Sequence, residues 1–159
     1  MNTHKNDKKA RLNSALKLTK RYKGCEAIGC RSNGNNTWVE VWVLNTRLIL
    51  DILEHQDYDI FRVHAAELLS ARSPKDALMV ANRANALLDV GNVIAFENKL
   101  AVFAHEFTSK GHIPSANILR LLIDDVLAAV LFVLQELKQL EPKLALSDAL
   151  PVCRDPSQN

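Results

Sequence analysis

The residues best suited to chemistry crowd the first two dozen positions. Residues 1–24 carry eight Lys or Arg against the single acid Asp7, and residues 25–159 carry twelve against seventeen acids, so a +7 head joins a −5 body in a chain of net charge +2. If residues 8–23 are helical, Leu12, Ala15, Leu16, Thr19 and Tyr22 form a docking stripe, and Lys9, Lys17, Lys20, Arg21 and Lys23 project from the other side. Such a face neutralises phosphates and releases their counterions, which gives salt-sensitive affinity with no base selectivity of its own. Lys8, Lys9, Arg11, Lys17, Lys20, Arg21 and Lys23 are therefore the candidate nucleic-acid contacts, to DNA or RNA alike. An acidic protein surface is the rival partner for the same charges. Trp38 and Trp42 follow close behind and could offer stacking platforms for single strands. Embedded among Val39, Val41 and Val43, they read first as core.

Catalytic and metal chemistry finds less to work with. Cys25 and Cys30 are separated by four residues with no second Cys or His pair to complete a zinc site, and the reactive Cys-x-x-Cys spacing is missing. Asp51 and His55, His64 and Glu67, and Glu97 and His105 share helical spacings, yet no Glu-x-x-His occurs for a di-iron bundle and no second His follows His105-Glu106 at zinc-protease spacing. Asp124 and Asp125 are neighbours, and adjacent helical residues point about 100° apart, so they do not converge on one substrate. Asp124 pairs more naturally with Arg120, four residues earlier. No catalytic residue, metal or cofactor is assigned.

The elements that would position these residues follow from composition and spacing. At 159 residues, 48% apolar and 24% charged, with five Gly and five Pro, the chain fits one globular domain. Lys and Arg continue to Lys23 without an apolar run, unlike a secretory signal, and an odd set of three cysteines suits a reducing cytoplasm. The longest uncharged apolar run, Val126 to Leu134, reaches only about 13 Å as a helix and cannot span a bilayer.

Helical spacing from Thr46 onward predicts a mainly α fold, a single-domain bundle of five to six helices. They run over Thr46 to Gln56, from an Asp59 cap to Arg72, from Ser73-Pro74 to Gly91, from Val93 to Lys110, and from a Ser115 cap to Glu141. A β-hairpin at about 25–44 is the one β element allowed, since Asn33-Gly34-Asn35 reads as a turn and residues 37–44 alternate like a strand. Local propensity favours the strand over 37–44 while the helical surroundings favour a helix, and both readings stand. The domain plan is a basic amphipathic helix or arm over 1–24, a helical bundle over 25–146 and a poorly ordered tail over 147–159.

The last helix is apolar nearly all round and has to be covered. A homodimer is therefore expected, with Leu122, Val126, Val130 and Val133 at its interface. The function expected first is a non-enzymatic regulatory or accessory protein that contacts nucleic acid through the basic helix. The alternatives are a dimeric protein–protein adaptor without nucleic-acid binding, and a small helical-bundle enzyme such as a nuclease.

Overall fold

Val39, Val41 and Val43 alternate with Trp38, Glu40 and Trp42, and in the folded chain this period of two is a strand with the valines buried. The computed structural model describes residues 3–34, 36–87 and 91–140. In place of a mainly α bundle it contains a seven-stranded antiparallel sheet and three helices. The order along the chain is α1 (Thr3–Thr19), β1 (Cys25–Asn33), β2 (Asn36–Val43), β3 (Thr46–Glu54), β4 (Tyr58–Ala65), β5 (Leu69–Ser70), α2 (Pro74–Asn85), β6 (Gly91–Phe96), β7 (Lys99–Ser109) and α3 (Ala116–Gln139).

Three expected helices are strands, and one physical cause explains all three. In β3, Leu48, Leu50 and Ile52 point into the core while Ile49 and Leu53 stand on the other face. With apolar residues on both faces, Leu48, Ile49, Ile52 and Leu53 match a helical stripe as well as a strand. β7 repeats the ambiguity, with Val102 and Ala104 inward and Phe103 and Phe107 outward. The helix expected from Asp59 is β4 and β5, and Gly91 opens β6 from a buried position instead of ending a helix. Residues 37–44 form no helix, since β2 occupies them up to Val43. The tail at 147–159 lies outside the described residues.

Two helices begin where side-chain capping directs. Ser73 Oγ accepts the Asp76 N–H at 3.1 Å and donates to the Asp76 carboxylate at 2.8 Å, and Pro74 fills the first turn, where its missing N–H costs nothing. Ser115 caps α3 through the Ile118 N–H at 3.4 Å. Replacing Ser73 with Ala should lower stability by about 1 kcal/mol, read as a shift of the urea midpoint. An unmoved midpoint would mean that packing alone sets the start of α2.

Across the sheet the strands run β1, β2, β3, β4, β7 and then β6, with the short β5 sharing with β4 one side of β7. α1 packs over β1 to β3, α3 over β4, β6 and β7, and α2 against β6 and α3. The covered face presents Val39, Leu50, Phe61, Val63 and Val102 to them, so all three helices sit on one side. Along the β1 edge a bulge between Ala27 and Gly29 shifts the register, with Gly29 at φ +136°, a conformation that suits glycine. Bulges of this kind twist an edge strand away from pairing with another chain. No helix among the described residues is long and apolar enough to cross a membrane.

Candidate functional site

α1 docks through Leu12, Ala15 and Thr19, all buried, and this stripe carries Arg11 inward with it. Arg11 donates through Nη1 to Asp59 Oδ2 at 2.6 Å and through Nη2 to Glu54 Oε1, while Nε lies 3.7 Å from Asp7 Oδ2. It is therefore not available to a phosphate, and the set of nucleic-acid contacts loses it. Asp59 is fully buried and also accepts from Lys110 Nζ at 3.1 Å and from the Gly111 N–H at 2.9 Å. Burial alone would raise its carboxyl, but the hydrogen bonds from Gly111, Lys110 and Arg11 prevail and hold it below the ordinary aspartate range. Asp59 reads locally as a helix cap; its partners lie 48 to 52 residues away, and no local signal announces them.

The other basic residues separate into two groups. Lys8 is half-buried, at the rim of a trough of about 340 Å³ that Trp38, Asp51 and Leu53 help to line. Lys9, Lys17, Lys20, Arg21 and Lys23 are exposed, and among the described residues none forms an ion pair. They project from the helical layer. Trp38 and Trp42 do not join them, because strand alternation sends both out of the opposite face of the sheet. They are not core residues either: Trp38 is half-buried and Trp42 is exposed.

No helix among the described residues covers that opposite face. Cross-strand register aligns Leu53, Ile60 and Phe107 in one row, Trp38, Asp51, Arg62 and His105 in a second, and Ile49, His64 and Phe103 in a third. Rings run along β7 and around its end: His105 lies edge-on to Phe107 at 5.5 Å, Tyr58 is 5.6 Å from Phe107, and His55 stacks on Tyr58 at 4.7 Å. Ile94 is 53% exposed, Phe107 60% and Phe96 70%. A trough of about 410 Å³ lies on the face, lined by Arg62, Leu68, Ile94, Ala101 and Phe103 among others.

The arginines of this face are already engaged. Arg62 makes a bidentate pair with Asp51, at 2.8 and 2.5 Å. Glu40, itself buried, accepts from Arg47 at 2.8 Å and from Trp38 Nε1 at 3.2 Å, with Arg31 Nε at 3.7 Å. Hydrogen bonds from Arg47 and then Trp38 hold the Glu40 carboxyl below its ordinary range, against the effect of burial. This face was legible in part, because Phe103-x-His105-x-Phe107 has strand spacing that a helical reading of 93–110 hides.

A second concavity opens in the helical layer, where the end of α1 meets the start of α3. One lobe, about 550 Å³, is lined by Arg21, Tyr22, Lys23, Leu44 and Arg120. The other, about 150 Å³, shares Arg21, Tyr22 and Arg120 and adds Leu18, Leu119 and Ile123. Tyr22 donates its hydroxyl to Asp124, which also pairs with Arg120 at 3.6 Å as the four-residue spacing predicts. Burial and the hydrogen bond to the Asp124 carboxylate push the Tyr22 phenol up to about 12, so it stays a neutral donor. Leu44 and Asn45 form the two-residue turn between β2 and β3 with φ of +48° and +65°, a geometry that Asn and Gly adopt far more readily than Leu. The Leu44 side chain is 65% exposed and lies over Gly24, where an added Cβ would meet it at 3.0 Å.

The four residues assigned to a dimer interface, Leu122, Val126, Val130 and Val133, are buried within the chain's own core. The outward side of α3 instead carries Leu121, Leu131 and Leu134. Cys25 and Cys30 are free, partly buried thiols that pair with Val43 and Val39 across β1 and β2, and burial raises both. Among the described residues no three His, Cys, Asp or Glu side chains gather as a metal site would need. Comparison with protein-family models, curated proteins and solved structures found no match, so the functional reading rests on this geometry.

Proposed function

We propose that this chain is a non-enzymatic cytoplasmic adaptor that works as a homodimer joined through its uncovered sheet face. One observation carries the reading: the face exposes apolar and ring side chains, Ile94, Phe96, Phe107 and Trp42 among them, and its arginines are engaged with its own carboxylates. Six strands about 4.8 Å apart, each some eight residues long at about 3.3 Å per residue, span roughly 750 Å². A standard interface buries about 800 Å² per partner, so the face is wide enough to seat one. A second copy fits because a two-fold interface sets the same surface against itself, and a face with paired charges meets its copy without net repulsion. The odd number of cysteines, with Cys25 and Cys30 free, supports a reducing compartment.

Sedimentation equilibrium across micromolar concentrations, combined with quenching of tryptophan fluorescence, tests this. Trp38 and Trp42 are the only tryptophans and both stand on the face, so dimerisation should protect them from a soluble quencher. A monomer at every concentration overturns the reading, as does a dimer whose tryptophans remain equally accessible, which would point to the leucines of α3.

Nucleic-acid contact through α1 and the turn after it remains the second reading, supported by five exposed basic residues, Lys9, Lys17, Lys20, Arg21 and Lys23, that form no ion pair among the described residues. It predicts a low-salt mobility shift that is lost when Lys17, Lys20 and Arg21 are replaced by Glu. Native protein that shifts neither DNA nor RNA removes it.

A further inference from the structure

We infer that the two-lobed cleft between the end of α1 and the start of α3 binds an acidic polypeptide segment that also carries apolar side chains. The site stands apart from the sheet face, so it is independent of the dimer reading. Its cationic lobe is bordered by Arg21, Lys23 and Arg120, of which only Arg120 has a carboxylate partner among the described residues. That partner, Asp124, is exposed and shared with Tyr22, so the lobe retains an excess of positive charge. Carboxylates are complementary to it, and guanidinium groups bind them in a planar, two-pronged geometry.

The second lobe decides between kinds of polyanion. Partly buried Leu18 lines it above the core residues Leu119 and Ile123, and Leu44, 65% exposed, lines the first lobe in a backbone conformation that leucine rarely adopts. Aliphatic walls beside cations suit alternating apolar and acidic side chains. A nucleic acid would instead use aromatic platforms for its bases, and both tryptophans are on the far side of the sheet. Tyr22 is held by Asp124 and forms a wall between the lobes.

The probe is a short fluorescent peptide alternating glutamate and leucine, followed by anisotropy with the full chain at low salt. It should bind more tightly than an all-glutamate peptide of the same length, and more tightly than oligothymidylate. Replacing Lys23 and Arg120 with Glu should weaken it at least roughly tenfold, equivalent to about 1.4 kcal/mol. Leu44→Asp should weaken it while leaving the all-glutamate peptide nearly unchanged. Lys9→Glu, which alters the total charge by the same sign two turns or more from the cleft, should have little effect. Unfolding midpoints of the variants should match that of the native chain, since the altered residues are all exposed. Equal losses with Lys9→Glu overturn the site in favour of diffuse attraction. Oligothymidylate binding as tightly through Lys23 and Arg120 overturns the polypeptide in favour of nucleic acid, displacement by inorganic phosphate reduces the site to a simple anion pocket, and no binding of the peptide overturns it outright.

Discussion

Asp59→Asn should destabilise the protein by about 3–5 kcal/mol, the usual cost of removing one partner from a buried ion pair. Asp59 has no solvent contact and accepts from Arg11, Lys110 and the Gly111 N–H, so it fastens α1 and the turn before α3 to the end of the sheet. Asparagine has nearly the same volume but leaves Arg11, itself 7% exposed, facing a neutral group. Thermal unfolding should fall by roughly 10 °C for a chain of this size. A change below about 1 kcal/mol would mean that Glu54 and Asp7 hold Arg11 without help.

Acid should act through the same carboxyl. Asp59 and Glu40 both lie below their ordinary ranges in the folded chain, so each contributes stability that is full above the unfolded value, about 3.9 and 4.3 respectively, and is lost as pH falls towards the folded value. The urea midpoint should therefore decline below about pH 4 to 5, and Asp59→Asn should flatten that decline. An equally steep acid dependence in the variant would assign it to other groups.

The second large effect concerns the sheet face. Replacing Ile94 and Phe107 together with Asp should weaken self-association at least roughly a hundredfold, because an unpaired carboxylate in an interface costs about 2–5 kcal/mol and two-fold symmetry counts each substitution twice. Both residues are more than half exposed in the single chain, so its folding should suffer only from the lower strand propensity of Asp, about 1 kcal/mol each at most. Sedimentation equilibrium and a urea titration separate the two effects. Association that persists unchanged, with Leu121, Leu131 and Leu134 still available on α3, would place the contact on that helix.

The charge division of the chain has a structural meaning that the totals conceal. Part of the +7 head is used within the molecule, because Arg11 joins Glu54 and Asp59 of the acidic body. What stays outward is a helix face ending at a cleft with aliphatic walls. The cationic surface and the tryptophans, adjacent in sequence, end on opposite sides of the sheet, since each strand residue faces away from the next.

Local chemistry alone determined a definite part of this protein. Ser73-Pro74 and Ser115 start α2 and α3, the spacing of Leu12, Ala15 and Thr19 docks α1, and Arg120 pairs with Asp124 one turn on. The caps and the ion pair depend on neighbours within about four residues, so the sequence window contains the whole interaction, and helical spacing marks the face of α1 that docks though not the strands it docks on. Tertiary structure decided the rest. Residues 46–65 and 91–109 carry apolar side chains on both faces, which fits two periods equally, and the choice between them comes from antiparallel pairing across the sheet. Arg11 looks like any other cation of the head until the chain brings Asp59 to it from 48 residues away, and desolvation of that pair, invisible in a window of sequence, turns a candidate contact for phosphate into a fastening of the fold.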